Sequence, residues 1–194
     1  MVQPLRDRRD VLYEEYKAVP SHLHAEIIEG TLYVLPRPAP KHANASSVLG
    51  SELNGAFQRG RGGPGGWWIL DEPELQLEVK EPVIPDLAGW RVERMPELPE
   101  TAYFTIAPDW VCEVLSNSTE RIDRDKKLPY YARHRVRHVW LVDPIDKRLE
   151  VHSLDDEGHW RAVRIYQGDA TVRAEPFDAI ELELSALWSA PRRA

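Results

Sequence analysis

The chain has 194 residues, 42% of them hydrophobic, which predicts one compact domain over residues 1–194 and excludes a largely disordered protein. Its formal net charge of −7 gives no general attraction to nucleic acid, so any surface for that partner must be local. The single cysteine cannot form an internal disulfide, and no apolar run has the length of a signal peptide or a membrane span, so we expect a cytoplasmic protein that does not interact with a membrane.

The first third of the chain predicts a helix, a hairpin and a second helix. Residues 10–17 have helical spacing and end before Pro20, and β-branched and aromatic residues flank Gly30 as in a hairpin. Residues 41–58 repeat apolar side chains near the 3.6-residue period of a core helix. Residues 59–66 hold five of the eleven glycines but no lysine, which indicates a loop rather than a phosphate-binding P-loop.

The rest of the chain predicts strands around one helix. Apolar or alternating runs predict strands at residues 67–70, 75–79, 83–90, 109–115 and 136–144, and further strands at 148–154, 160–167, 170–175 and 179–188. A helix is predicted over residues 118–134, with polar residues at its start as caps. Strands on both sides of a crossover helix imply a mixed sheet, partly parallel at its centre, in an α/β (α+β) fold.

Glu113 lies in the middle of the most apolar run, PDWVCEVLSNST at residues 108–119. A buried carboxylate is costly unless it is paired, hydrogen-bonded or bound to a metal. Asp86, at the end of one strand, and Lys127, in the following helix, can converge with it. The two carboxylates and the main-chain carbonyl of Val114 form a suitable site for Mg²⁺ or Mn²⁺, and the ammonium could orient or help deprotonate an attacking water.

The succession AEIIEGTLYVLP, VIPDLAGW, PDWVCEVLSNST and DRDKKLPYYARHRVRHVWLVDP resembles the Uma2 family of endonucleases, also called DUF820, within the PD-(D/E)XK nuclease superfamily. The resemblance covers about residues 10–165 and leaves residues 166–194 as a C-terminal extension. It implies a metal-dependent endonuclease that hydrolyses DNA. It also implies a restriction-endonuclease-like core, a mixed sheet flanked by helices, with an added N-terminal hairpin and C-terminal strands.

The resemblance assigns roles to particular positions. Asp86 matches the aspartate of the PD motif and Glu113 matches the acid of the (D/E)XK motif. Leu115 stands where the superfamily has its lysine. Uma2-like sequences commonly carry that lysine in the next helix, and Lys127 matches it there.

The resemblance implies roles for two further residues, and Pro129 affects the direction of Lys127. Glu26 resembles an auxiliary acid near the metal, and His42 resembles a histidine that opens the first core helix. Pro129 removes a helical hydrogen bond two residues after Lys127, so the direction of that lysine stays open and Lys126 is an alternative.

Structural interpretations compete with these roles. Asp86 could belong to a plain Pro-Asp turn, and Glu113 could pair with an arginine from residues 133–137. Lys127 could pair with Asp123 on a solvated helix face. Glu26 and His42 could be a strand-edge charge and a helix-start residue. Zinc at the histidines at 22, 24, 134 and 138 is disfavoured, because the chain lacks a cysteine cluster and recognisable ligand spacing.

Arginines provide the local contacts that a DNA partner would need. Arg59 and Arg61 lie in the glycine-rich loop, and three more lie beside Tyr130 and Tyr131, namely Arg133, Arg135 and Arg137. No helix-turn-helix or zinc finger is visible, and we expect a homodimer because cutting a duplex calls for two sites. Two other functions stay open: a catalytically degenerate binding or scaffold protein with the same fold, and a metal-dependent hydrolase of RNA or nucleotides.

Overall fold

A computed structural model of the protein describes residues 7–161 and 164–189. The helices are α1 Arg8–Lys17, α2 Pro40–Leu53, α3 Glu120–Ile122, α4 Leu128–Arg133 and α5 Ser185–Trp188. One π-helical turn, Asn54–Gln58, continues α2, and a second, Asp123–Lys127, joins α3 to α4. The strands are β1 His24–Ile28, β2 Thr31–Leu35, β3 Trp67–Asp71, β4 Leu75–Glu78, β5 Glu81–Val83, β6 Leu87–Arg91, β7 Trp110–Val114, β8 His138–Asp143, β9 Arg148–Ser153, β10 Arg164–Gln167, β11 Thr171–Val172 and β12 Leu182–Glu183.

A six-stranded sheet with the order β10-β9-β8-β7-β6-β3 forms the centre. Its neighbours are antiparallel except β7 and β8, which are parallel because the α3–α4 segment crosses over between them. All five residues of β7 are buried, as its continuous apolar run predicts. The mixed sheet with flanking helices confirms the predicted fold class, and the N-terminal hairpin, β1–β2, is also confirmed.

The central strand β7 divides the core into two layers, because successive side chains point to opposite faces. Cys112 and Val114 pack with α2 and the C-terminal segment. Val111 packs on the other face with residues of β1, β4, β5 and α4. Glu113 alternates with Cys112 and Val114, so it lies in this second layer.

Two predicted elements are interrupted in the structure. The strand predicted at 83–90 is interrupted between β5 and β6, since Pro85 has no N–H to donate to a sheet. The helix predicted at 118–134 is interrupted by the π-helical turn. Residues 162–163 of the strand predicted at 160–167 lie outside the described residues. Within the described ranges, no helix combines the length and the apolar character that crossing a membrane requires.

Candidate functional site

The register of β6 and β7 brings the two motif acids together. Leu87 lies opposite Cys112, so continuing the antiparallel register by one residue places Asp86 opposite Glu113. Side chains that are directly opposite in an antiparallel pair point to the same face. The main-chain N–H of Val114 donates to Asp86 Oδ2 at 2.6 Å, which fixes the carboxylate against β7.

Lys127 reaches the same place from the second π-helical turn and is only 4% exposed. Its Nζ lies 2.9 Å from Glu26 Oε1, 3.1 Å from Glu113 Oε2 and 3.7 Å from Asp123 Oδ1. The pairing with Asp123 that the sequence suggests is therefore present, but it is buried rather than on a solvated helix face. Lys127 joins carboxylates from β1, from β7 and from its own π-helical turn.

The choice between the two lysines is resolved by the structure. Lys126 Nζ lies 3.3 Å from Glu29 Oε2 on the surface, whereas Lys127 points inward. In the π-helical turn the N–H of Leu128 bonds to the carbonyl of Asp123, five residues back. The wider turn relieves the contact that the ring of Pro129 would make with the carbonyl four residues before it in a regular helix. Proline therefore shapes the turn that presents the lysine.

Glu113 pairs with Lys127 and a tyrosine, not with an arginine from residues 133–137. The hydroxyl of Tyr131 donates to Glu113 Oε1, and Lys127 donates to Oε2. Burial raises the pKa of Glu113 well above its ordinary value; the Lys127 ammonium opposes this shift, and the neighbouring carboxylates add to it. Burial likewise raises the pKa of Asp123 to about 6, with Lys127 again opposing the shift.

Burial would lower the pKa of Lys127, but the charges of Glu113, Glu26 and Asp123 more than offset burial and raise it well above its ordinary value. The ammonium is therefore charged throughout the neutral pH range. This fixed positive charge stabilises the ionised forms of the acids around it.

The two carboxylate oxygens of Glu26, in β1, differ in their contacts with the described residues. Oε1 accepts the N–H of Ile84 at 2.6 Å and lies beside Lys127. Oε2 is buried and has no hydrogen-bond partner in the described part of the chain. A buried carboxylate oxygen without a partner is unfavourable unless a further donor or a cation binds it.

His42, in the first turns of α2, contacts the other motif acid. Its Nε2 lies 3.2 Å from Asp86 Oδ2. Burial would lower the pKa of His42, but the hydrogen bond to Asp86 and the charge of that carboxylate raise it overall. This contact therefore favours the protonated form of His42 and helps to orient the Asp86 carboxylate.

A pocket of about 170 Å³ contains all five side chains predicted for the site. Its lining residues are His24, Glu26, Leu35, Pro36, Arg37, Pro38, Ala39, His42, Glu72, Ile84, Asp86, Glu113, Ser116, Ser118, Thr119, Asp123 and Lys127. Val114, whose carbonyl was predicted as a ligand, is not among them and contributes its N–H to Asp86 instead. Five carboxylates against one lysine and one arginine make the pocket strongly acidic.

The carboxylate oxygens that line the pocket are suitable ligands for a divalent cation, because Mg²⁺ and Mn²⁺ prefer carboxylate oxygens. The partnerless Glu26 Oε2 and the acidic surroundings support that fit. Among the described residues, however, no group of three or more His, Cys, Asp or Glu side chains has the spacing of a formed metal site. The side chains would have to adjust by side-chain rotation to bind a cation together.

Sequence reasoning did not assign Asp123, Tyr131 or Arg37 to the site. Asp123 and Tyr131 lie four residues to either side of Lys127, and only that helical spacing around the lysine could have indicated them. Arg37 also lines the pocket and donates to the Ser21 carbonyl at 2.6 Å. No motif in the sequence singles it out.

The tyrosines beside the predicted arginine contacts cannot take part in nucleic-acid binding. Tyr130 and Tyr131 are fully buried, because they lie on the face of α4 that packs against the sheet. Neither ring can contact a phosphate or a base. Of the tyrosines and arginines predicted together there, only the three arginines lie near the surface.

Comparisons with known proteins agree with this fold. The model of the Uma2 family, described as a putative restriction endonuclease, matches residues 13–186. A crystal structure described as a putative nuclease belonging to DUF820 from Anabaena variabilis ATCC 29413 is similar with a TM-score of 0.73 and 23% identity, covering 91% of this chain and 97% of that chain. No curated protein matches. Because the family model matches most of the chain, the chain belongs to the Uma2 family.

Proposed function

We propose that the protein is a metal-dependent endonuclease that hydrolyses phosphodiester bonds of DNA in this acidic pocket. The observation that carries the proposal is the convergence of Asp86, Glu113 and Glu26 around the buried ammonium of Lys127. Membership of the Uma2 family and the nuclease-like fold support nuclease chemistry.

Asp86 and Glu113 would hold Mg²⁺ or Mn²⁺, with Glu26 as an auxiliary acid. A bound divalent cation would supply positive charge to the scissile phosphate and lower the pKa of a water molecule. His42 would keep Asp86 correctly oriented through the 3.2 Å contact.

Lys127 would orient the attacking water and the phosphate rather than remove a proton. Its raised pKa keeps the amine protonated, and an ammonium has no lone pair with which to accept a proton. Of the two roles suggested by the sequence, positioning is therefore the one we propose.

A plasmid-cleavage assay tests the proposal. We expect the protein to nick or linearise supercoiled DNA in Mg²⁺ or Mn²⁺ and to be inactive in EDTA. Asp86→Asn and Glu113→Gln should each lower the cleavage rate by at least about 100-fold, since each removes a carboxylate that holds the metal and orients the reaction. Mn²⁺ titration by calorimetry should show weaker binding in both variants.

The control is Lys126→Met, a change at a neighbouring surface lysine, which should cleave at the wild-type rate. Circular dichroism should show that all variants are folded. If Asp86→Asn and Glu113→Gln cleave DNA as fast as the wild type and bind Mn²⁺ equally well, the proposed function is wrong.

One observation favours a second candidate, a degenerate nuclease fold that serves as a binding or scaffold protein. Lys127 and Tyr131 already satisfy both oxygens of Glu113. A protein of this kind would bind DNA but would not cleave it with any divalent metal ion. Replacing DNA with RNA or nucleotides in the same assay tests the remaining candidate, a metal-dependent hydrolase of RNA or nucleotides. Sedimentation of the protein tests the expected homodimer.

A further inference from the structure

A second concavity, of about 570 Å³, adjoins the acidic pocket along α2, and we call it the groove. Ser47, Ser51 and Asn54 line it with small polar side chains. Ser47 and Ser51 are exposed, while the apolar side chains of α2 point away into the core. Arg59 and Arg61 line the same groove and outnumber its one carboxylate, Asp71.

The groove and the pocket lie next to each other along one helix. His42 lines the pocket, and Ser46, one helical turn later, lines the groove. On the sheet side, Leu87 lines the groove and directly follows Asp86. A chain lying in the groove would therefore lead into the acidic pocket.

The two arginines of the groove differ from the other arginines predicted to contact phosphate. Arg133 and Arg137 form ion pairs with surface acids, and Arg135 donates to a main-chain carbonyl. The side chains of Arg59 and Arg61 have no hydrogen bond or ion pair with any residue in the described ranges. Their charge is available to a partner.

The loop that carries these arginines is fixed to the end of the helix. The N–H of Arg59 donates to Asn54 O at 3.0 Å, and the N–H of Arg61 donates to Gly55 O at 2.9 Å. Gly63 lies so close to Ala56 that an added Cβ would be 2.7 Å from the Ala56 Cβ. The loop is packed onto the π-helical turn, so both arginines are presented at a defined end of the groove.

We propose that this groove binds the phosphate backbone of one strand of duplex DNA, with Arg59 and Arg61 as phosphate contacts, and directs that strand into the acidic pocket. This inference rests on the proposed function. The positive end of the groove suits phosphates, while the acidic end is the place where a divalent cation would meet the scissile phosphate.

The dimensions agree with a bound strand. Arg59 lies roughly 25 Å along the helix from His42 at about 1.5 Å per residue. One strand of B-DNA covers that distance in about seven nucleotides at about 3.4 Å each. The arginines would therefore contact phosphates several nucleotides away from the bond that is cleaved.

Salt-dependent binding tests the proposal without requiring cleavage. The affinity for a fluorescein-labelled 30-base-pair duplex is measured in EDTA over a range of NaCl concentrations. The double variant Arg59→Ala/Arg61→Ala should reduce the slope of log K against log [salt] by about 1.8, because each lost phosphate contact removes about 0.9. The control Arg161→Ala/Arg164→Ala removes the same charge at exposed positions outside the groove and should change the slope by less than about 0.5.

A substitution within the groove provides a second readout. Ser51→Glu places a negative charge against the bound backbone and should weaken duplex binding at least about tenfold. Gln167→Glu adds the same charge at an exposed position on β10 and should leave binding nearly unchanged.

The groove proposal is wrong if the wild type does not bind the duplex even at low salt, or if the groove and control variants behave alike. It is also wrong if the groove variants weaken binding of an RNA of equal length but leave DNA binding unchanged. If Asp86→Asn loses cleavage but binds the duplex as tightly as the wild type, the result supports DNA binding by the groove that does not depend on the chemistry of the acidic pocket. A wild type that binds through Arg59 and Arg61 but never cleaves supports the groove and contradicts the nuclease proposal.

Discussion

Lys127 makes the burial of the site acids possible. Its ammonium contacts Glu26, Glu113 and Asp123 within a layer of apolar side chains, where water cannot screen their charges. Breaking a buried pair leaves an uncompensated charge, which costs far more than losing a surface pair. The same residue therefore contributes to stability and to the proposed chemistry.

We expect Lys127→Met to lower the free energy of unfolding by about 3–5 kcal/mol, because it leaves the neighbouring carboxylates without their cation. Lys126→Met, at the surface pair with Glu29, should cost at most about 1 kcal/mol. Urea denaturation followed by circular dichroism measures both. Equal effects of the two substitutions would show that Lys127 does not compensate buried charge.

At the scale of elements, the second π-helical turn is tied to the sheet at two places. Lys127 contacts the acid of β7, and Arg124 forms a two-pronged hydrogen bond with Glu150 of β9 at 2.9 and 2.7 Å. Leu141 of β8 lies opposite both Glu113 and Glu150, so the two contacts lie in one row across the sheet. The turn is thereby held over three strands, which fixes the position of the lysine.

The Arg124 contact predicts a specific pH dependence. The hydrogen bond from Arg124 lowers the pKa of Glu150 below its ordinary value of 4.5, against the opposing effect of burial. A lowered folded-state pKa stabilises the protein above the unfolded pKa, and this contribution is lost as pH falls through the folded pKa. Glu150→Gln should therefore cost about 1.5–3 kcal/mol at pH 7.

The cost should shrink as the pH falls below about 4.5 and vanish once Glu150 is protonated in the folded wild type. Urea denaturation of both proteins from pH 7 to pH 3 measures the difference directly. A difference that stays constant over this range would exclude an ionic contribution from Glu150.

At the scale of the whole molecule, the C-terminal segment completes one of the two core layers. Phe177 is fully buried among four aromatic rings, with centroid distances of 4.6, 5.0, 4.9 and 5.6 Å to Phe57, Trp67, Trp110 and Trp140. These rings belong to the first π-helical turn and to strands β3, β7 and β8. Residues predicted as an extension beyond the core thus pack within it.

Phe177→Ala should lower the free energy of unfolding by about 3–5 kcal/mol, because it leaves a cavity among rings that cannot collapse onto it. Ile165→Ala, at a side chain that is 55% exposed, should change it by less than about 0.5 kcal/mol. Thermal denaturation of both variants provides the comparison. A small effect of Phe177→Ala would mean that the segment is not part of the cooperative core.

The main features of the site could be predicted because they leave traces in the local sequence. Glu113 is conspicuous as an acid in an apolar strand, and Asp86 and Lys127 follow family motifs. Pro129 marks an irregularity in the helix that carries Lys127 but does not predict a π-helical turn, because a single five-residue hydrogen bond hardly changes the 3.6-residue period. Period-2 patterns likewise do not tell which sheet a strand joins, so the separate β4–β5 pair could not be predicted.

The order of the charges along the chain has a consequence for synthesis on the ribosome. Glu26 and Glu113 emerge before Lys127, so a nascent chain that ends after β7 has the inward acids without their counter-ion. Burying them at that stage is unfavourable, and the two layers can close only after the crossover segment has been translated and has docked. The proposed catalytic site can therefore form only after Lys127 has been synthesised and the crossover segment has docked.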